Sequence, residues 1–215
     1  MKLDLMKTIY ARVVWDEGGD VSLVEYLTMY HNLMLFFGSF GGFANIQRQM
    51  LNKRVKNLES YMIGRERDNY QTLRRMILYE ESKGTIGSVN PFSGTILFTC
   101  LERHLQFITL ALVNTLTLHP QHTLLHAFKP AYLSVLARHH NWFMEKFYLV
   151  GMTLMPTKEK AMFAVIASQR EEVSFDDLMT TLQLAVRQLN QVTKVCELIL
   201  NNNNVLNKIP REVVT

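Results

Sequence analysis

The chain is short of the residues that staple, interrupt or catalyse. Its two cysteines, Cys100 and Cys196, stand far apart in 215 residues and form no CxxC spacing. That excludes a disulfide framework or a zinc knuckle and fits a reducing compartment. No uninterrupted apolar run approaches about 18 residues, so no segment reads as a bilayer span. The opening "MKLDLMKTIYARVVWDEGG" carries charges within its apolar run and no small-residue cleavage site, unlike a signal peptide. The net charge of +4 is spread along the chain, and no Lys/Arg run is dense enough to serve as a nucleic-acid arm. Serine-nucleophile, P-loop and dinucleotide motifs are missing. The paired carboxylates Glu80–Glu81 and Asp176–Asp177 fall on polar faces and read as solvated. An enzyme is not expected, and neither is a cofactor.

What is present is apolar and helical. The composition, 48% hydrophobic and 20% charged, is that of a soluble globular protein. The length and the lack of a linker favour one domain over residues 1–215. Twelve methionines and twelve phenylalanines supply adaptable bulk. With only five prolines and ten glycines, apolar spacing of three and four recurs almost throughout, and strand-like alternation is nearly absent. The fold class is therefore all-α. Helices are expected near Leu3–Val14, Leu23–Phe37, Phe43–Tyr61, Asn69–Glu81, Gly94–Thr117, Pro130–Met155, Lys158–Gln169 and Ser174–Leu200. Pro130 suits a first helical turn, and "SFDD" at Ser174 reads as an N-cap followed by acids. The Gly94–Thr117 helix is apolar nearly all round and belongs at the centre. Its one polar arc holds Glu102, Arg103, Gln106 and Thr109.

Some residues do not suit their faces. Winding the helix from Phe43 at about 100° per residue aligns Phe43, Met50, Leu51, Val55, Leu58 and Tyr61. Arg54 falls in the middle of that stripe. It either faces the interior, where an unpaired charge is costly, or snorkels outward along its methylenes. Arg103 lies beside Ile96, Cys100 and Phe107 on the central helix. Two inward arginines would form an anion site sealed into an apolar fold. On the Pro130–Met155 segment the stripe runs through Tyr132, Val135, Leu136, Phe143, Phe147 and Val150, and periodicity nominates His139 over His140. His119, His122 and His126 have zinc-compatible spacing but no nearby carboxylate or cysteine, so no metal site is expected.

The stretches "YLTMYHNLMLFFGSFGGF", "NYQTLRRMILYEE", "SGTILFTCLERHLQF" and "AYLSVLARHHNWFMEKFYLVGMTLMPTKEKAMF" resemble the glycolipid transfer protein family. The similarity is closer to its ceramide-1-phosphate branch and runs from about Leu3 to "VLNKIP". It implies a two-layer helical sandwich with a lipid pocket between the layers. It also implies a cytosolic, monomeric carrier of a sphingolipid or other anionic lipid that touches membrane surfaces transiently. By the H-x-W pattern the family's amide-binding histidine is His140, with Trp142 near the membrane-facing rim. Arg54, Arg103 and His140 are the head-group candidates, and Phe43, Phe107 and Phe143 are pocket or membrane-facing candidates. Three positions depart from the family pattern. Met50 stands where the family has its head-group aspartate, and Ile96 and Cys100 stand where the phosphate branch has two arginines. The glycolipid branch's tryptophan is missing as well. An anionic phospho-lipid is the best-matched cargo. The alternative is a lipid-binding or regulatory module of the same fold that has lost transfer.

Overall fold

The computed structural model describes residues 19–38, 40–169 and 172–210. Among them are eight α-helices and three 3-10 turns. The helices are α1 (Leu23–Gly38), α2 (Gly42–Ile63), α3 (Leu73–Ser82), α4 (Gly94–Thr117), α5 (Leu125–Val135), α6 (Trp142–Met152), α7 (Lys158–Ser168) and α8 (Phe175–Asn202). Extended pairing among the described residues is confined to three isolated bridges. The helix expected near Leu3–Val14 lies outside the described residues.

The helices form two layers around α4, which packs against α5, α8, α2 and α3. Seventeen of its 24 residues are buried. By length and apolarity α4 would suffice to cross a membrane, but 78% of its most apolar window is buried inside the fold. Its greasiness serves the protein's own core.

Both ends of α4 are closed by charged side chains from other helices. At the N-terminus Ser93 accepts from the Ile96 amide at 3.3 Å. There too Glu80 accepts from the amides of Gly94 (2.6 Å) and Thr95 (3.1 Å) and from the Thr95 hydroxyl (2.6 Å). A carboxylate at this position satisfies orphan N–H groups and complements the helix dipole. Glu80 is thus buried and structural, against the sequence expectation that both carboxylates of its pair are solvated. At the C-terminus Lys158 donates from Nζ to the carbonyls of Leu116 (3.1 Å) and Leu118 (2.9 Å).

The long helix expected over Pro130–Met155 is three elements. Helix α5 begins at Leu125, so Pro130 lies inside it and not in its first turn. The chain then passes through a 3-10 turn at Ala137–His139 and restarts at Trp142. The restart has a local cause. Asn141 is extended (φ −73°, ψ 170°) and its side chain accepts from the Met144 amide, with Glu145 in the first turn. The break resets the helical phase, so Tyr148 turns inward while Phe143 and Val150 face solvent. In contrast, the capping box expected at Ser174 is present, with Asp177 answering it.

Candidate functional site

A cluster of buried polar groups lies where α2, α4, α5 and α6 converge. Arg54 is only 7% exposed, so its guanidinium enters the fold and does not snorkel away from it. Its charge acts on Tyr30, Cys100, His104, His140 and Tyr148, which come from α1, α4, α6 and the turn before α6. Arg103 is half-buried, and its charge acts on Cys100 and His104. The two arginines nominated from sequence therefore share one neighbourhood on either side of Cys100.

The hydrogen bonds fix the tautomer of His104. His104 Nδ1 lies 2.7 Å from the Cys100 carbonyl, which can only accept, so this nitrogen carries the proton. Its Nε2 then accepts from the Tyr148 hydroxyl at 3.0 Å. The buried Tyr132 hydroxyl lies 3.2 Å from His140 Nδ1, within hydrogen-bond distance. His140 packs on Tyr148 and Tyr132 with ring centroids at 4.8 and 5.7 Å. Burial, and then Arg54, lowers the His140 pKa to about 4. Burial and the same arginine push His104 down as well. Both imidazoles are neutral at physiological pH.

Next to this cluster is an apolar cleft lined by Met34, Phe37, Phe43, Leu51, Phe107 and Phe128, with Gln47, Arg48 and His104 at its polar edge. The Gln47 and Arg48 contributions were not foreseen from sequence. Their sign was available, since both stand one turn before the Met50–Arg54 stretch. The open space is about 30 Å³. A second apolar gap of about 20 Å³ lies between α1, α4 and α8, lined by Leu33, Phe36 and Leu189 among others. Phe36, Phe37 and Phe40 meet edge to face at 5.2–5.6 Å between these gaps. A roomier hollow of about 330 Å³ at the far end of α2 is polar, and it borders Tyr61, Tyr70 and the structural Glu80.

The remaining nominated residues separate into groups. Phe43 and Phe107 line the cleft. Ile96 and Cys100 are buried on α4, and Met50 is half-buried one turn before Arg54. Trp142 and Phe143 are 72% and 68% exposed, with Val150 and Leu154 also exposed on and just beyond α6. Phe143 is accordingly a surface residue and not a cleft residue. His139 is half-buried in the 3-10 turn, while His140 is the one against the Tyr132–Tyr148 stack. His119, His122 and His126 stand with ring centroids 5.5 and 5.1 Å apart. Among the described residues no group of His, Cys, Asp or Glu has metal-holding geometry.

Glu102, read from sequence as part of a polar arc, is buried on the opposite side of α4. It accepts from the Tyr26 hydroxyl at 3.1 Å and also engages Cys196. Burial raises its pKa to about 8. Thr109 of the same arc is buried too.

Comparisons with known proteins bear on the fold and the family. Ceramide-1-phosphate transfer protein of Xenopus tropicalis is 25% identical over 162 residues, covering 74% of this chain and 75% of the relative. The crystal structure of mouse ceramide-1-phosphate transfer protein superposes with a TM-score of 0.84 at 19% identity, covering 94% of this chain and 97% of that one. The human protein in complex with 12:0 ceramide-1-phosphate gives the same TM-score at 20% identity, with 95% and 98% covered. The sequence pattern of the glycolipid transfer protein (GLTP) family matches residues 21–167, and this chain belongs to that family.

Proposed function

We propose that this protein carries an anionic two-chain lipid, ceramide-1-phosphate or a relative of it, between membranes through the cytosol as a monomer. The observation that carries this reading is the inward placement of Arg54 near Arg103 and His140, in a cluster joined through His104 to an apolar cleft. A cationic group held among tyrosines and neutral imidazoles is matched to a phosphate, which it meets with charge-assisted hydrogen bonds. With the Tyr132 hydroxyl donating to Nδ1, His140 offers its Nε2–H to a carbonyl of the lipid linkage. Burial of the chains supplies most of the affinity, at about 0.8 kcal/mol per methylene. Trp142, Phe143 and Leu154 provide an exposed apolar face for touching the bilayer during exchange.

The cleft as it stands has about 30 Å³ of open space, whereas ligand pockets run to roughly 300–1,000 Å³. Loading therefore parts the layers. The phenylalanines of α1 and the flexible Met34 are the side chains that give way. The same narrowness favours a second reading, a fold-retaining module whose gap is filled by its own side chains and which acts through partners. Vesicle transfer separates the two. The carrier moves a labelled phospho-lipid such as ceramide-1-phosphate or phosphatidic acid and leaves neutral ceramide behind. Arg54→Leu is expected to reduce that movement by about 10–100-fold, the loss for a hydrogen bond to a charged group. If no anionic lipid moves and none co-purifies by native mass spectrometry, the second reading stands.

A further inference from the structure

We infer that the apolar cleft takes a second class of ligand, a single-chain lipid ending in a carboxylate, and that Arg48 grips that carboxylate. The inference goes beyond the phospho-lipid reading and stands apart from it, because it uses neither Arg54 nor Arg103. It begins with the charge of the cleft wall. Among the described residues that line the cleft, Arg48 is the one charged side chain, and the others are apolar apart from Gln47 and His104. Burial pushes the His104 pKa down, so that ring is neutral. A greasy slot with one cation on its wall matches an amphiphile with one negative charge at one end.

The surroundings of Arg48 suit that role. It stands in the second turn of α2, and its guanidinium lies against Gly38, the last residue of α1. A methyl group on Gly38 would stand 3.1 Å from Nη1, so the glycine leaves the room that the guanidinium occupies. Arg48 Nε is buried and has no hydrogen-bond partner. No ion pair among the described residues involves this side chain. The residue as a whole is half-buried at the cleft edge, where an incoming carboxylate sheds only part of its hydration.

A carboxylate suits this grip better than a phosphate monoester. Its planar pair of oxygens matches the guanidinium fork two bonds at a time. Its single charge is balanced by one arginine, whereas a phosphate monoester carries nearly two charges at neutral pH. One chain also parts fewer side chains than two in a gap of about 30 Å³, with Met34 the adaptable part of the wall. A purely structural use of Arg48 is the alternative. Helix α1 has no basic residue in its last turn, and a cation beside its C-terminus complements the helix dipole. That use entails a loss of stability on truncation and no preference among ligands.

The test titrates the full chain calorimetrically with myristate, myristyl alcohol and myristyl phosphate at neutral pH, each below its micelle concentration. Myristate is expected to bind about 10–100-fold more tightly than the alcohol, the range for a hydrogen bond to a charged group. Arg48→Leu is expected to remove that preference. Arg48→Lys, which keeps the charge and loses the fork, is expected to restore part of it. Equal binding of myristate and the alcohol by the unmodified chain overturns the inference without any variant having to fold, and so does binding of neither. A folded Arg48→Leu variant that keeps the preference overturns the role of Arg48. Tighter binding of myristyl phosphate overturns the choice of a carboxylate. Vesicle transfer is read on the same preparation. Myristate binding by a chain that moves no phospho-lipid sinks only the carrier reading, and transfer by a chain that ignores myristate sinks only this one.

Discussion

Helix α4 buries two titratable residues two positions apart, and they behave in opposite ways. Glu102 faces α1 and α8, held by Tyr26 and Cys196 in a closed part of the core. His104 faces α6 and the cleft, held by the Cys100 carbonyl and Tyr148. Burial drives both towards neutrality, which raises the acid and lowers the base. The difference lies in what neutrality gives each side. For Glu102 it only avoids a buried charge. For His104 it frees a lone pair that holds Tyr148 in place, and Tyr148 in turn stacks on Tyr132 with centroids at 4.9 Å and packs on His140. One face spends burial on closure and the other on arranging a site.

The largest expected effect is on the Glu102 side. Its folded pKa of about 8 lies above the ordinary 4.5, so the unfolded chain releases a proton that the folded chain keeps. Stability from this group is full below pH 4.5 and is lost as pH rises towards 8. Glu102→Gln keeps the shape and removes the titration. It is expected to stabilise the protein by on the order of 3 kcal/mol above pH 8, and to have little effect at pH 4. Denaturant unfolding across that range measures it. Equal stabilisation at both ends would mean that the carboxyl is not the titrating group. The imidazoles act in the reverse sense, because their depressed pKa values remove stability as pH falls below the ordinary 6.5. As far as these three groups act, stability is greatest near pH 6.5.

A smaller effect is expected on the cleft side. His104→Phe preserves volume but takes away the acceptor for the buried Tyr148 hydroxyl, at a cost of about 1–3 kcal/mol. The contrast is the test: blunting the acid stabilises and blunting the base destabilises. His104→Phe/Tyr148→Phe, which removes both partners, is expected to recover most of that loss in a double-mutant cycle.

The same contrast shows what the sequence could and could not reveal. Helix α4 was legible to the residue because a run apolar nearly all round, set between Ser93 and Pro120, leaves no other solution. Helix α8 was legible because its cap is local. Arg54 stood out because a cation in a periodic apolar stripe is anomalous whatever surrounds it. The phase of α6 was not legible from periodicity. Asn141 restarts the helix, and one capping side chain outweighed the continuity of a long apolar pattern. Glu80 was lost for a different reason. Its role is to cap a helix that begins fourteen residues later, and no local pattern encodes that. Glu102 and His104 share one helix, and which is closed and which is open depends on α8 and α6, far away in the chain. Gln47 and Arg48 join the cleft edge only through the packing of α2 against α1 and α4.

The smallest effect on stability separates the surface from both buried faces. Trp142 and Phe143 are exposed at the start of α6, with Val150 and Leu154 continuing the face and Lys146 exposed between them. Rings that contact water lose little on truncation, so Trp142→Ala/Phe143→Ala is expected to shift folding stability by less than about 1 kcal/mol. A bilayer interface, however, favours indole and phenyl groups beside basic side chains. The same variant should then bind anionic vesicles about tenfold more weakly, with affinity in solution for a short-chain phospho-lipid unchanged. Vesicle co-sedimentation beside a soluble-lipid titration reads the two separately. If vesicle binding persists undiminished, α6 is not the membrane face and the exposed aromatics need another partner. If soluble-lipid affinity falls in step, Phe143 reaches the cleft in the loaded state, and the break at Asn141 is a hinge through which surface and site are joined.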